Sequence, residues 1–529
     1  MRSVKSEADR PILSQTKPIV EEQASYRSTE PGARAPSRRD QGLPAYLPSL
    51  ILALIALGFA RTLGFGFVNW DDGTHVLGNP AVVSTGGMRE RWLTPSLGYA
   101  IPVTVASYRV EYLLAGATPW VYHATNLLLH LGVCGLVYRL GRRLGLGRPG
   151  ASLALLFFGL HPVVVEPVSW ISGRKDLLAA LFGLSATLCY LGAAEAPARR
   201  WRATLLATLL FALAAFAKPS VLTLPLAWAL LGPERAKARW WRVLPALLVA
   251  ASAAVLSWVG ESQVGAVHAT ASPWVWAREL LFALGYHLGL ALFVQPPLAK
   301  HIPAQMPPWF DPAVDLLPLG IGLLTWLWLR RLDDRARRAA RSGLLFAIMA
   351  YLPSSGVVPL TRYLADSYVY LPLVGLAWFA GASWESLLPA IRPVWRWAGA
   401  GAIAASLLLA SSTTATTWRG SVALWQTVWQ RYPDSPEVCL NLGNAYFERA
   451  EIATALRIYE RCSRQFGPGH FAKNRAIALF SLGRRAEAAR LFERLAVDHP
   501  DDPVIHRYLG QLIDERGPAV LPSTTGEAR

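Results

Sequence analysis

Apolar stretches of roughly 17 to 25 residues recur from Tyr46 to Ala415, each closed by a cluster of Arg, Pro or Gly. That length is what an α-helix needs to cross about 30 Å of hydrocarbon. Spans are expected at 45 to 63, 119 to 138, 150 to 169, 176 to 194, 202 to 217, 219 to 231, 243 to 260, 313 to 329, 342 to 359, 367 to 384 and 395 to 415, about eleven in all. Two of these, 202 to 217 and 219 to 231, are short and divided by Pro219, so a tight hairpin of partial depth fits them as well. The stretch 277 to 295 is apolar too, but counting it as a span would put Arg330, Arg331, Arg335, Arg337, Arg338 and Arg341 on the outside. The positive-inside rule argues against that. The stretch is therefore placed as re-entrant or lying flat, where Arg278, Glu279 and His287 need not cross hydrocarbon unpaired.

With this topology the long loop 64–118 and the segments Ile171 to Lys175, Ala217 to Ser220, 261–312 and Leu360 to Asp366 share the outer face. From Trp418 onward the apolar runs give way to amphipathic helical periodicity, so a second domain begins there. Its Leu442, Gly443, Tyr446, Ala455 and Tyr459 are echoed farther along by Ala488, Phe492 and Pro500, then by Leu509 and Gly510. The pattern resembles tetratricopeptide repeats, in which small residues let paired helices approach and aromatics fill the gap between them. A generic stack of helical hairpins fits the same pattern. The expected organisation is all-α: a disordered cytoplasmic tail over 1–44, a polytopic membrane bundle over 45–416, repeats over 417–516 and a disordered tail over 517–529.

Composition supports the membrane assignment: 53% of the 529 residues are hydrophobic and only 16% are charged. The net charge of +17 changes the picture only through its location. Residues 1–44 carry 8 Lys/Arg against 6 Asp/Glu and residues 417–529 carry 15 against 13, which leaves 29 against 16 in the membrane part. That excess lies in turns such as Arg139 to Arg148, Arg199 to Arg202, Arg235 to Arg242 and Arg330 to Arg341, which read as cytoplasmic anchors. No basic surface is interleaved with stacking aromatics, which argues against nucleic acid as a partner. Many of the 21 tryptophans fall near span ends, as in an aromatic belt. Cys134, Cys189, Cys439 and Cys462 have no metal-ligand spacing; Cys439 and Cys462 can pair if the repeats face an oxidising compartment. The first 44 residues lack a secretory core and cleavage site, so the first span is expected to act as its own insertion signal.

Candidate chemistry starts in the first outer loop, where Phe67-Val68-Asn69-Trp70-Asp71-Asp72 sets two carboxylates in an apolar and aromatic stretch. Inverting glycosyl transfer needs a base to take the acceptor hydroxyl's proton, and a carboxylate at the membrane boundary suits that task. A second carboxylate can hold the acceptor, bind a divalent metal or raise the pKa of the base; no other cofactor is implied. Capping of a helix that starts near Gly73 is the competing explanation for either acid. A lipid phosphate leaving group requires cations, and Arg174, Lys175, Lys218 and Arg362 are the candidates, with snorkelling anchors as the bland alternative. His161 and Glu166 fall in or near the end of the third span, where titratable groups usually face the bundle interior; Glu166 there needs a partner such as Arg174 or Lys218.

These motifs carry a resemblance. Phe67 to Asp72, Tyr122-His123-Ala124-Thr125-Asn126-Leu127-Leu128-Leu129-His130, His161-Pro162-Val163-Val164-Val165-Glu166, Ser172-Gly173-Arg174-Lys175-Asp176-Leu177-Leu178 and Ala217-Lys218-Pro219 together resemble the transmembrane and tetratricopeptide-repeat O-mannosyltransferases and their bacterial relatives in the C-type glycosyltransferase superfamily. The resemblance covers about residues 45 to 515. It implies transfer of a sugar, mannose above all, from a polyprenyl or dolichyl phosphate carrier to a protein Ser/Thr hydroxyl outside the membrane, with the repeats on the active-site side and a protein acceptor recruited there. Asp71 then becomes the base and Asp72 its companion, with His123, His161, Glu166, Asp176 and Asp366 supporting the cations. Two departures stand out: Val164 replaces a second His, and Ser367 replaces an Arg after Ala365-Asp366. A lipid or glycan acceptor, or an inactive scaffold with protein-binding repeats, are the alternatives. The Ala, Arg and Trp bias points to a GC-rich bacterial genome, hence an inner membrane with a periplasmic catalytic face.

Overall fold

The structure is a computed structural model that describes residues 44–84, 100–193, 200–231, 236–263, 273–293, 296–302, 312–357, 362 and 364–516. The tails expected to be disordered, 1–44 but for Pro44 and 517–529, lie outside the described residues. Among the described residues there are helices and turns and no strand. The first span is α1 (Leu47–Phe59), and the loop after it carries α2 (Pro80–Val83) and α3 (Pro102–Ala115). The bundle continues through α4 (Pro119–Arg143), α5 (Arg148–Gly159), α6 (Val165–Ser169), α7 (Arg174–Ala193), α8 (Arg200–Ala217), α9 (Leu224–Leu231) and α10 (Ala236–Gln263). It is completed by α11 (Pro273–Ala291), α12 (Pro312–Asp315), α13 (Leu317–Arg331), α14 (Asp334–Tyr351), α15 (Tyr370–Leu387) and α16 (Pro393–Ala415). The C-terminal part is α17 (Ser421–Arg431), α18 (Pro436–Glu448), α19 (Ile452–Phe466), α20 (Ala472–Ser481), α21 (Arg485–Asp498) and α22 (Pro503–Arg516).

Proline punctuates this order for a local reason. Prolines open α1, α3, α4, α5 and α16 in the first helical turn, where the missing N–H has no intrahelical partner to lose. Asp333 caps α14 by accepting from the Ala336 N–H at 2.9 Å. Before Pro219 the backbone of Lys218 is extended (φ −160°, ψ 132°), as the pre-proline clash demands, and this ends α8.

Seven helices among the described residues are long and apolar enough to cross a membrane, or eight when α5 and the Pro162–Ser169 segment, bent by 51°, count as one broken span. Eleven were expected. The difference lies in helices that exist but fall short: Pro219–Leu231 is a short apolar helix, α13 has 15 residues, about 22 Å at 1.5 Å per residue, and α14 opens on Asp334-Arg335-Ala336-Arg337-Arg338. α13 buries none of its residues and leaves Leu319, Leu323 and Leu324 exposed, the surface expected of a helix against lipid. In the stretch 277–295, of which residues 294 and 295 lie outside the described part, α11 pairs Arg278 with Asp315 at 3.6 Å and His287 with the Tyr351 hydroxyl at 3.0 Å.

Small residues set the tightest crossings. A Cβ added to Gly375 would lie 2.2 Å from the Gly343 carbonyl oxygen, and one added to Gly381 2.3 Å from that of Gly150. α15 therefore packs backbone to backbone on α14 and α5, the usual solution where lipid gives helices no hydrophobic drive to associate.

The Arg-rich turns gather at one end of the bundle. Arg335 donates to the Gly145 carbonyl at 2.9 Å, Arg143 to that of Leu191 at 3.2 Å and Arg242 to that of Tyr190 at 2.9 Å. At the other end Tyr108 donates to the Ile171 carbonyl, Thr104 to that of Ala217 and the Arg362 guanidinium to that of Ala299. The segments grouped on one face by charge alone thus meet in space. α17 joins that same end, and α18 to α22 follow as consecutively packed helices. Tyr459 of α19 fills the space left by Gly443 of α18, where a Cβ would lie 2.2 Å from its ring, and Phe492 stacks on Tyr508 with ring centres 5.1 Å apart. A disulfide joins Cys439 to Cys462 across the first hairpin, with Cα atoms 6.2 Å apart.

Candidate functional site

The two first-loop carboxylates have separate environments. Asp72 is buried and accepts from the Val68 N–H at 2.9 Å, the Ser172 N–H at 3.0 Å and the Ser172 hydroxyl at 2.6 Å. It thereby ties the first loop to the turn before α7. Burial pushes its pKa up to about 6, above its ordinary 3.8, although these hydrogen bonds oppose the rise. Asp72 occupies the N-cap position of the π-helical turn Gly73–Leu77 but makes no capping hydrogen bond, so the capping role considered for it is not what holds it.

Asp71 keeps 17% of its side-chain surface and points its Oδ2 at the Lys175 ammonium, 3.2 Å away. Burial raises its pKa, but Lys175, His75 and Arg362 together lower it by more, and the net result is below the ordinary carboxylate value. His75 Nε2 lies 3.8 Å from the same oxygen. Burial and Lys175 hold that imidazole down at about 3, so it stands beside Asp71 uncharged at neutral pH. The pair is therefore one ionised, partly accessible carboxylate and one enclosed tether.

The four candidate cations divide as well. Arg174 is fully buried, ion-paired with Glu111, and donates to Asn126 Oδ1 at 2.8 Å and the Tyr122 carbonyl at 2.9 Å. Its guanidinium lies over the rings of Tyr108 and Tyr122. Placed by sequence on the donor side, it instead braces α7 against α3 and α4. Lys175 lies 4.8 Å from the Trp170 ring centre. Lys218 donates to Asp176 Oδ1 at 2.5 Å and lies 5.4 Å over Tyr368, and burial lowers its pKa. Arg362 lies 3.4 Å from Glu166 Oε1, donates to the Ala299 carbonyl at 2.8 Å and covers the Trp70 ring at 4.9 Å. Glu166 therefore pairs with Arg362, not with Arg174 or Lys218. Three cations, each matched by one carboxylate, line this face: Lys175 with Asp71, Lys218 with Asp176, and Arg362 with Glu166.

The other named residues make contacts within the fold. His161 accepts from the Val163 N–H at 3.2 Å and bonds the Ala291 carbonyl at 3.2 Å, so it caps the break between α5 and α6 and fixes the end of α11. His123 is buried edge-on against Phe65. Asp366 accepts from the Leu298 N–H at 2.8 Å and lies 2.8 Å from His301 Nε2, whose other nitrogen is 2.8 Å from the Tyr286 hydroxyl. Ser367, with Asp176, Ser220, Ser354 and Tyr368, lines a small cleft with room for about one water. Glu111, Ser172 and His301 were not anticipated as partners. Ser172 lay in a motif already singled out, but nothing in its spacing told that Asp72, a hundred residues earlier, would be bound to it. Among the described residues no group of three or more His, Cys, Asp or Glu side chains converges as metal ligands.

No protein-family model matches the chain. In sequence it is similar to the protein O-mannosyl-transferase TMTC1 of Mus musculus, 35% identical over 175 residues that cover 30% of this chain and 18% of that protein. It is also similar to TMTC4 of Homo sapiens, 32% identical over 173 residues (28% and 23%), and to tmtc2 of Xenopus laevis, 41% identical over 90 residues (17% and 11%). The chain thus matches less than a quarter of each relative's length. Among solved structures, ArnT from Cupriavidus metallidurans bound to undecaprenyl phosphate aligns over 88% of this chain and 85% of its own, with 17% identity and a TM-score of 0.41. Over the segments they share, the resemblance announced by the motifs holds: the chain is similar in sequence to the transmembrane O-mannosyltransferases.

Proposed function

We propose that the chain is an inverting glycosyltransferase that moves a sugar, mannose first among candidates, from a polyprenyl phosphate carrier to a protein Ser or Thr hydroxyl outside the membrane. One observation carries this reading: an ionised, partly accessible Asp71 faces Lys175, with Arg362 and Lys218 on the same face. Asp71 Oδ2 takes the proton of the acceptor hydroxyl as its oxygen bonds to the anomeric carbon and the bond from that carbon to the phosphate oxygen breaks. The electron pair of that bond leaves with the carrier phosphate, and Lys175, Arg362 and Lys218 meet the added negative charge. Asp72 and Arg174 hold the loop and the turn that set the distance between base and cations. The O-mannosyl-transferase names of the sequence relatives support the sugar and the protein acceptor.

The outer placement rests on charge and redox chemistry. The Arg-rich turns lie at the end opposite Asp71, which the positive-inside rule assigns to the cytoplasm, and the Cys439–Cys462 disulfide belongs in an oxidising compartment. The helical hairpins after Ser421 are read as degenerate tetratricopeptide repeats that present the acceptor. The test is incubation of membranes bearing the protein with polyprenyl phosphate [14C]mannose and a Ser/Thr-rich acceptor protein, followed by partition between organic and aqueous phases. Label that enters protein and is released by alkali supports the reading; label confined to lipid replaces the protein acceptor with a lipid or glycan.

A further inference from the structure

The residue immediately before Trp70-Asp71-Asp72 is held from an unexpected quarter. Asn69 lies more than 350 positions from α17, yet its N–H donates to the Ser421 hydroxyl at 2.9 Å and its Oδ1 accepts from Trp425 Nε1 at 2.7 Å. Glu448 of α18 lies near both groups, and the Asn69 and Ser421 side chains oppose the rise that burial gives its carboxyl. The Asn69 side-chain oxygen and its backbone N–H are therefore both taken by α17. Trp70 continues the contact: its ring lies 6.2 Å from that of Trp418, 5.7 Å from that of Trp425 and 5.4 Å from that of Trp170. Gly66 adds a backbone bond to the Arg419 carbonyl at 3.3 Å. On the bundle side the same loop is held through Asp72 and Ser172.

Asp71 sits between these two attachments. With only the Ser172 tether the loop can pivot about Asp72; the second tether, one residue before Trp70, removes that freedom. We propose that α17 is a working part of the catalytic site, in which Ser421 and Trp425 position Asp71 through Asn69. This role is additional to any recruitment of acceptor by the later helices, and it rests on the reading of Asp71 as base. The donor cations stand on other segments, Lys175 on α7, Lys218 before Pro219 and Arg362 before α15. Loosening the Asn69 clasp should then slow proton transfer and leave donor binding alone.

The test uses the full chain in detergent or membranes, with sugar transfer measured for wild type, Ser421→Ala, Ser421→Thr, Trp425→Phe and the Ser421→Ala/Trp425→Phe double variant. Trp425→Phe keeps a ring in the stack and removes only the N–H that reaches Asn69. The expected result is a fall in kcat of about tenfold or more in the double variant, the size of loss that slight misplacement of a reacting group brings. KM for the donor and the thermal midpoint should stay at wild-type values, and Ser421→Thr, which keeps the hydroxyl, should restore kcat. An active wild type with an equally active double variant overturns the inference and leaves the proposed function standing. A kcat that falls only in step with the midpoint, with no rescue by Thr, assigns the clasp to stability alone and also overturns it. A wild type that transfers no sugar overturns the reading of Asp71, and this inference with it.

Discussion

Gly173→Ala should damage the site without touching any charged group. Gly173 ends the turn Ile171–Gly173 that carries Ser172 toward Asp72 and leads into Lys175. A Cβ built there would lie 2.7 Å from the Pro167 carbonyl oxygen, 2.8 Å from Pro167 Cα and 3.0 Å from the Glu166 carbonyl oxygen. Ordinary contacts to carbon lie near 3.5 Å, so relief requires roughly 0.5–1 Å of movement. All three obstructing atoms are backbone of the buried α6, so no side chain can swing aside and the turn itself must shift. Overpacking of this kind costs about 1–3 kcal/mol, and a displacement near 1 Å between Lys175 and Asp71 should reduce transfer on the order of a hundredfold. The assay pairs thermal unfolding in detergent with sugar transfer at matched protein. Gly135→Ala is the control, since a Cβ there meets nothing within 4 Å and Ala in a helix interior is favoured by up to about 1 kcal/mol. A Gly173→Ala protein with wild-type midpoint and wild-type transfer would refute the close packing of turn and α6.

Other outcomes follow from the same geometry. Arg362→Ala leaves the buried Glu166 without its ion-pair partner and should cost about 3–5 kcal/mol of stability; adding Glu166→Gln should recover part of that, and strictly additive losses in unfolding midpoint would contradict the pairing. Burial holds Asp72 at about 6 against an ordinary 3.8, so its contribution to stability is fully present below pH 3.8 and is lost as pH rises through 6. Between pH 4 and 7 the wild type should therefore lose stability relative to Asp72→Asn, on the order of 3 kcal/mol; parallel pH profiles of unfolding would count against the enclosed carboxyl. Opening the Cys439–Cys462 link by Cys462→Ser should cost about 3 kcal/mol in the first hairpin; an unchanged protease-resistance midpoint for the C-terminal helices would argue that the link contributes nothing.

Much of this was legible in the linear pattern because the membrane simplifies it. Apolar length gave the helical bundle, and charge placement grouped loops that meet in space. The carboxylates and cations that lie around Asp71 could be singled out as candidates because they fall at or near span ends. Their pairing was hidden. Burial of Arg174 against Glu111 depends on how α7 crosses α3, and the match of Glu166 with Arg362 depends on a contact across 196 positions. Among the described residues fewer helices reach spanning length than the eleven expected, because apolar content does not reveal where a helix starts: α14 opens on a run of arginines, and α13 has 15 residues. The Asn69 clasp was invisible for the same reason as the ion pairs, since nothing local to Asn69 points toward Ser421 or Trp425.

The most direct test of the central claim compares wild type with Asp71→Asn for transfer of radiolabelled sugar from polyprenyl phosphate, with protein amounts matched by immunoblot and folding by thermal midpoint. Asn preserves the shape and removes the basic oxygen, so the account expects a wild-type midpoint with transfer lower by about a hundredfold or more. Transfer by Asp71→Asn at the wild-type rate would remove the base from the first loop. Absence of transfer by the wild type with mannose, glucose and aminoarabinose donors alike would contradict the enzyme itself and leave a membrane scaffold in its place.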